Sequence, residues 1–167
     1  SVYNLNKKKI YMKISKKLEP VVIGLSSSII IGILAYLSFE TSTGFWLMFS
    51  FGSTTLIVLI FYDSEFAQPG NIFFGHVLGI VIGILFNKFV GISFLTLGLS
   101  VGATVTLMMY FKVVHPPAAA NPLIALFADV SLEYILFPVI AGVLVIICLS
   151  IIINKYFLRR NYPLKWF

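Results

Sequence analysis

Residues 135–153 read ILFPVIAGVLVIICLSIII, a run without one charged side chain. Crossing a bilayer as an α-helix takes about 20 apolar residues, so this stretch alone points to a membrane. Four earlier runs share its character: Val21 to Phe39, Phe45 to Tyr62, Asn71 to Asn87 and Ile92 to Phe111. Composition agrees, since 59% of the 167 residues are hydrophobic and 11% charged, against roughly 25% charged in soluble domains. Lipid offers no hydrogen bonds, so each backbone group must be satisfied within its own segment, and continuous rather than alternating runs select helices over a barrel. The sequence predicts an all-α, polytopic transmembrane bundle of five full spans plus one short, broken half-helix segment.

The broken segment lies between the fourth and fifth spans. Val113-Val114-His115-Pro116-Pro117-Ala118-Ala119-Ala120-Asn121-Pro122 carries three prolines, which forbid a regular helix. Leu123 to Ala128 is too short to cross alone. Extended chain leading into a half-helix is the expectation, and such backbone is tolerated at membrane depth only where protein or a watery cavity surrounds it. Pro138 falls in the first turn of its span, where a helix accepts it.

The net charge of +6 comes from the two ends of the chain. Lys7, Lys8, Lys9, Lys13, Lys16 and Lys17 precede the first run, and Lys155, Arg159, Arg160 and Lys165 follow the last. That placement speaks for orientation and anionic headgroups, with the N-terminus cytoplasmic and the chain in the cell membrane. It argues against nucleic acid as a partner, because nothing folded remains to shape a groove. Residues 1–19 form a basic segment in which Ile10, Ile14 and Leu18 fall at steps of four, the pattern either of an interfacial helix or of a basic tail. Residues 20–154 form one transmembrane domain and 155–167 a basic tail. A signal peptide is rejected because the first run is long and more spans follow. Cys148 is the single cysteine, so no intrachain disulfide is possible. Five crossings leave the C-terminal basic residues outside, whereas a crossing by Val113 to Val130 returns them to the N-terminal side; six embedded segments are favoured.

The chain also resembles itself. Ser50-Phe51-Gly52-Ser53-Thr54 matches Ser100-Val101-Gly102-Ala103-Thr104, an offset of 102 − 52 = 50 residues. In the same register Leu47 meets Leu97, Phe61 meets Phe111 and Asn71 meets Asn121. The joint match reads as a two-fold internal repeat whose copies run in the same direction, related by an axis along the membrane normal. Each copy ends in a proline-broken segment from which a helix starts at an asparagine, a favoured N-cap. Gly75, Gly79 and Gly83, and likewise Gly98 and Gly102, form stripes of small residues that let helices approach closely in lipid.

Helix starts at Asn71 and Asn121 would aim free amides and positive dipole ends at one region, a way to hold an anion in spans that contain no cation. His76 and His115 are ionisable groups at membrane depth, able to carry a proton or donate to an anion. Each histidine can equally bond a nearby carbonyl. Thr54 and Thr104 either line the pathway or bond their own backbone. Asp63, Glu65, Asp129 and Glu133 lie near span ends, where Asp63 and Glu65 could gate the first broken segment. Enzyme and metal signatures are missing: the sequence contains no His-Glu-x-x-His, Cys-x-x-Cys, Gly-x-Ser-x-Gly or P-loop. No cofactor or metal is expected.

At Val114-His115-Pro116-Pro117-Ala118-Ala119-Ala120, preceded by Leu107-Met108-Met109, the chain resembles the HPP family of integral membrane proteins. A second matching region runs from Phe51-Gly52-Ser53-Thr54 through Ala67-Gln68-Pro69-Gly70-Asn71 to Gly75-His76. The resemblance implies transport: members are described as four-span transporters, with plant chloroplast relatives linked to nitrite movement. This sequence departs in reading as more than four embedded segments, and in having Ala119 where relatives tend to have glycine. The expectation is a transporter or channel for a small inorganic anion, most plausibly nitrite, passing between the repeat halves along His115, Asn121, Asn71, His76, Thr54, Thr104 and the Pro116-Pro117 turn. The competing reading is a membrane scaffold or sensor subunit, and a homo-oligomer fits either.

Overall fold

The computed structural model describes residues 15–42 and 44–166. The predicted interfacial helix lies outside them as far as residue 14. Six α-helices follow in order: α1 (Glu19–Phe39), α2 (Ser50–Ile60), α3 (Pro69–Phe89), α4 (Phe94–Tyr110), α5 (Asn121–Ala128) and α6 (Ala141–Ile152). Tight 3-10 turns at Glu65–Ala67 and Pro116–Ala120 lead into α3 and α5, and wider turns at Ile135–Ile140 and Ile153–Phe157 extend α6 at both ends. The described residues contain no strand.

Three helical stretches are long and apolar enough to cross a membrane: Glu19–Phe39, Pro69–Phe89 and Ile135–Phe157. Three shorter apolar ones accompany them: Ser50–Ile60, Phe94–Tyr110 and Pro116–Ala128. The second predicted span loses its first turn because the Trp46 N–H is drawn to the Ser38 hydroxyl at 2.9 Å, which folds residues 44–49 across the end of α1. Pro138 is not absorbed into a regular first turn as expected. Phe137 before it is extended (φ −131°, ψ 121°), since a residue preceding proline is pushed out of the helical region, and regular α-helix begins only at Ala141.

The broken segment runs the length of α3. Val114 accepts a hydrogen bond from Asn71 at one end of α3, and Asp129 accepts one from Asn87 at the other. Between these, Gly75 faces Val113 and His115, Gly79 faces Ala118 and Asn121, and Gly83 faces Pro122 and Ala125, so the two chains run parallel. A Cβ on Gly79 would sit 2.5 Å from the Ala118 carbonyl oxygen, and one on Gly83 2.6 Å from the Pro122 Cα. Only hydrogen at those positions lets proline-broken backbone lie directly on a helix. Gly142 does the same for α2, its place for a Cβ being 2.4 Å from the Phe51 ring.

The apolar core joins Ile30 and Leu34 of α1, Phe51 and Leu59 of α2, Ile72 and Ile80 of α3, and Val143 and Ile146 of α6. Much of the outer surface is equally apolar: Val21, Leu25 and Ile29 on α1 and Phe94, Leu95 and Leu99 on α4 are all more than half exposed. In water that would be an aggregation liability; against lipid it is ordinary.

Charge divides by end. Arg160 pairs with Glu19 and donates to the Leu59 carbonyl, which ties the end of α6 to the start of α1 and the end of α2. Residues 162–166 then cross the start of α3: the Tyr162 hydroxyl donates to the Ala67 carbonyl at 2.7 Å, Gln68 Oε1 accepts from Leu164 N–H at 2.9 Å, and Gly70 N–H donates to the Trp166 carbonyl at 2.9 Å. The basic tail is thus a docked strap. Burial pushes the Tyr162 phenol above its ordinary range, whereas Lys165, hydrogen-bonded to Glu65 at 2.8 Å, holds that carboxyl below its own.

Candidate functional site

The centre of the molecule is polar. Thr54, His76, His115 and Asn121 are 0% exposed and Ser50 is 4% exposed, yet all five are joined by hydrogen bonds. Buried polar side chains at membrane depth are costly unless satisfied.

Local sequence explains how each arrives. His115 precedes a proline and is therefore extended (φ −138°, ψ 101°), which turns it out of the chain toward the bare backbone of Gly75. Pro116 and Pro117 start the 3-10 turn that carries the chain on to Asn121; Pro117 is buried and Pro116 exposed. His76 stands on α3 next to Gly75, with its ring edge-on to Phe51 at 5.3 Å and 5.0 Å from the His115 ring. Thr54 of α2 reaches both imidazoles, 2.8 Å from His76 Nε2 and 3.0 Å from His115 Nε2.

The donors and acceptors of Asn121 and the two imidazoles have one consistent assignment, while the Thr54 hydroxyl has two acceptors in reach, His115 Nε2 and the Ser50 carbonyl, each at 3.0 Å. The His76 carbonyl can only accept, so the Asn121 atom 3.0 Å from it is the amide nitrogen, and Asn121 Oδ1 accepts from the Ser50 hydroxyl at 2.9 Å. The second Asn121 N–H points at His76 Nδ1, 3.0 Å away, which must be a bare nitrogen. His76 therefore carries its proton on Nε2 and gives it to the Thr54 oxygen. His115 Nδ1 lies 2.7 Å from the Phe66 carbonyl and must hold a proton, which leaves His115 Nε2 to accept from the Thr54 hydroxyl. A single directed row results: Ser50, Asn121, His76, Thr54, His115, Phe66 carbonyl.

Both ends of that row meet clefts. Ser50 lines one of about 430 Å³ together with Phe49, Ser53, Ala120 and Leu123. Phe66 lines another of about 310 Å³ together with Glu65, Asn71, Lys112, Val114 and Lys165.

Of the residues singled out in the sequence, Thr54, His76, His115 and Asn121 meet directly, and Asn71 holds the same loop through Val114. Thr104 does not join: it is buried but bonds the Ser100 carbonyl at 2.8 Å, the self-bonding alternative for a helix threonine. The asparagines are not N-caps. Gln68 and Ala120 hold those positions, and the amide side chains of Asn71 and Asn121 are spent on Val114 and His76. Of the amides at and after the two asparagines, Ile72 N–H donates to the Gln68 carbonyl, Asn121 N–H donates to the Ala118 carbonyl, and Pro122 has none. Glu65 is occupied by Lys165. Sequence reasoning passed over Ser50, visible only as a letter of the repeat, and the Phe66 carbonyl, which no side-chain pattern reveals. Among the described residues no cluster of three or more metal-ligating side chains occurs.

Apolar helices wrapped around a wholly buried polar row define an integral membrane protein with a specialised interior. Its family follows from comparison with known proteins: the HPP transmembrane region matches residues 13–163, and the chain belongs to the HPP family. It is 27% identical over 125 residues to a transmembrane protein of Dictyostelium discoideum, covering 70% of this chain and 44% of that protein. A second transmembrane protein of the same organism is 27% identical over 155 residues, covering 85% of this chain and 49% of its own length. This chain thus spans less than half the length of both relatives. No solved structure matches it.

Proposed function

We propose that the chain is a transporter or channel for a small inorganic anion, with nitrite, the cargo implied by the family resemblance, as the first to test. The observation that carries this reading is the hydrogen-bonded row from Ser50 to Phe66, which runs through the buried interior between residues that line two clefts. A scaffold has no need of two fully buried histidines sharing one threonine, so the polar centre favours transport over the scaffold or sensor reading. Among the described residues no metal-ligating cluster offers itself for metal-assisted catalysis.

The proposed pathway lies between an α2–α3 half, which supplies Thr54, His76 and Asn71, and an α4–α5 half, which supplies His115 and Asn121. The proposed halves are those of the repeat read at offset 50, and the order of a helix, a 3-10 turn and a further helix in each is compatible with it. In place of helix-end amides, the donors of the row are His76 Nε2–H, His115 Nδ1–H and the Asn121 amide; each is engaged at rest, by Thr54, the Phe66 carbonyl and His76, so an anion takes one by displacing that partner, while Pro116 and Pro117 hold the turn. Thr104 keeps at most a peripheral place on the approach. Lys112 and Lys165 give one cleft a positive mouth.

Six embedded segments are part of the proposal, three of them long enough to cross and three shorter, with Lys16 and Arg160 at the same end. That end carries Lys16, Lys17, Lys112, Lys155, Arg159, Arg160 and Lys165 with Glu19, Asp63 and Glu65, whereas the other carries Lys88 with Glu40, Asp129 and Glu133. By the positive-inside rule the first end is cytoplasmic. A homo-oligomer in the cell membrane is part of the proposal, to be checked by light scattering in detergent.

The test is uptake into proteoliposomes of nitrite, nitrate, formate and chloride. Nitrite entry above protein-free vesicles, abolished in His115→Ala, is expected. Equal uptake by wild type and His115→Ala removes His115 from the mechanism, and no uptake of any of the four ions leaves the scaffold reading.

A further inference from the structure

We propose that His115 Nε2 and the Thr54 hydroxyl form a binding site for one proton, whose charge is balanced by the transported anion, so that cargo and proton travel as a neutral pair. The coupling to cargo rests on the transport reading above; the proton site does not.

Two ring nitrogens in the row are bare. A proton placed on His76 Nδ1 would face the Asn121 N–H, donor against donor. Asn121 cannot turn to relieve this, because its oxygen would then oppose the His76 carbonyl. His115 Nε2 is different. It faces the Thr54 hydroxyl, which has a second acceptor, the Ser50 carbonyl, 3.0 Å away. When a proton arrives from cleft water, an N–H bond forms on Nε2 and the Thr54 hydroxyl rotates from Nε2 to the Ser50 carbonyl. The Thr54 oxygen then accepts from both His76 and His115. Every donor remains satisfied, no covalent bond within the protein breaks, and the net change is one proton gained and one positive charge on His115.

Among the described residues that charge meets no carboxylate. α2 presents Thr54 and Ser50, α3 presents His76 and Gly75, α5 presents Asn121, and the first 3-10 turn presents the Phe66 carbonyl. Among the described residues no carboxylate hydrogen-bonds either histidine. Glu65, the nearest acid in the cleft beside Phe66, is engaged by Lys165. An unpaired imidazolium inside an apolar bundle is strongly disfavoured, whereas one that meets an anion is not. Proton and anion must therefore strengthen each other's binding by the same factor.

The experiment is nitrogen-15 NMR of histidine-labelled protein in nanodiscs across an acid pH series, with and without sodium nitrite. Expected in neutral solution are a proton on Nδ1 of His115 and on Nε2 of His76. Nitrite should raise the proton affinity of His115 by about 5- to 150-fold, the range of ordinary coupling between sites, leaving His76 neutral. Thr54→Ser should keep this response and Thr54→Val lose it. The reverse tautomers, a His115 cation formed equally well without nitrite, or protonation of His76 first would each overturn the proposal. Should Thr54→Val not fold, the wild-type tautomers and the nitrite response still decide. Parallel liposome flux separates the two readings: the NMR pattern without nitrite uptake supports the proton site and removes transport. Nitrite uptake that is driven by membrane potential rules out the neutral pair.

Discussion

The two glycine stripes look alike in sequence and behave differently in the fold. On α3, Gly75, Gly79 and Gly83 are buried, and an added Cβ would collide with backbone or Cβ atoms of the segment beside it. On α4, Gly98 and Gly102 are exposed, with nothing within 4 Å of the place a Cβ would take. The related threonines divide in the same way, Thr54 joining two histidines and Thr104 bonding only the turn below it among the hydrogen bonds described. A smooth helix face is permission for close approach. What fills it is a neighbour whose own backbone is irregular enough to need the room, and the proline-broken segment is that neighbour.

The largest effect that would break this comparison is at Gly79. Gly79→Leu should cost at least about 3 kcal/mol through overpacking against Ala118, read as loss of the monodisperse peak in detergent, while Gly102→Leu should leave the melting temperature nearly unchanged. Equal effects at the two positions would show that α4 is as tightly packed as α3. Next comes the threonine pair: Thr54→Val strands the His76 N–H and should cost about 1–3 kcal/mol, against less than about 0.5 kcal/mol for Thr104→Val, both by thermal unfolding.

Gln68 sharpens the comparison between the two turns. It bonds the Tyr62 and Ser64 carbonyls as well as the tail, so Gln68→Ala should cost about 1–2 kcal/mol and expose residues 160–166 to protease. Smallest is the exposed Glu65–Lys165 pair. Because the folded carboxyl titrates below its unfolded value, its contribution is full above the ordinary carboxylate range and disappears as pH falls through the lowered value. Protease sensitivity of the tail should therefore rise slightly in acid, and Glu65→Gln should remove that dependence.

Much of this was legible in the residues. Helix class, the boundaries of α1, α3 and α4 to within two or three residues, and the meeting of His115, His76, Asn121 and Thr54 all follow from apolar runs, prolines and the polar residues set among them. The misses are of one kind. Asn71 and Asn121 read as caps by local rule, but both lie inside their helices, past the cap positions, and their side-chain N–H groups reach carbonyls across the bundle. Pro138 reads as harmless by position, yet its effect falls on Phe137 before it. Ser50 and the Phe66 carbonyl matter because of what stands opposite them, which one-dimensional spacing does not encode.

The strap has a consequence for how the molecule is made. Gly70 N–H and Gln68, at the start of α3, find partners in residues 164–166, almost a hundred positions downstream. While the chain is being threaded into the bilayer, α3 enters before those partners have been synthesised. The central helix must therefore wait with its first turn unfinished until residues 164–166 arrive.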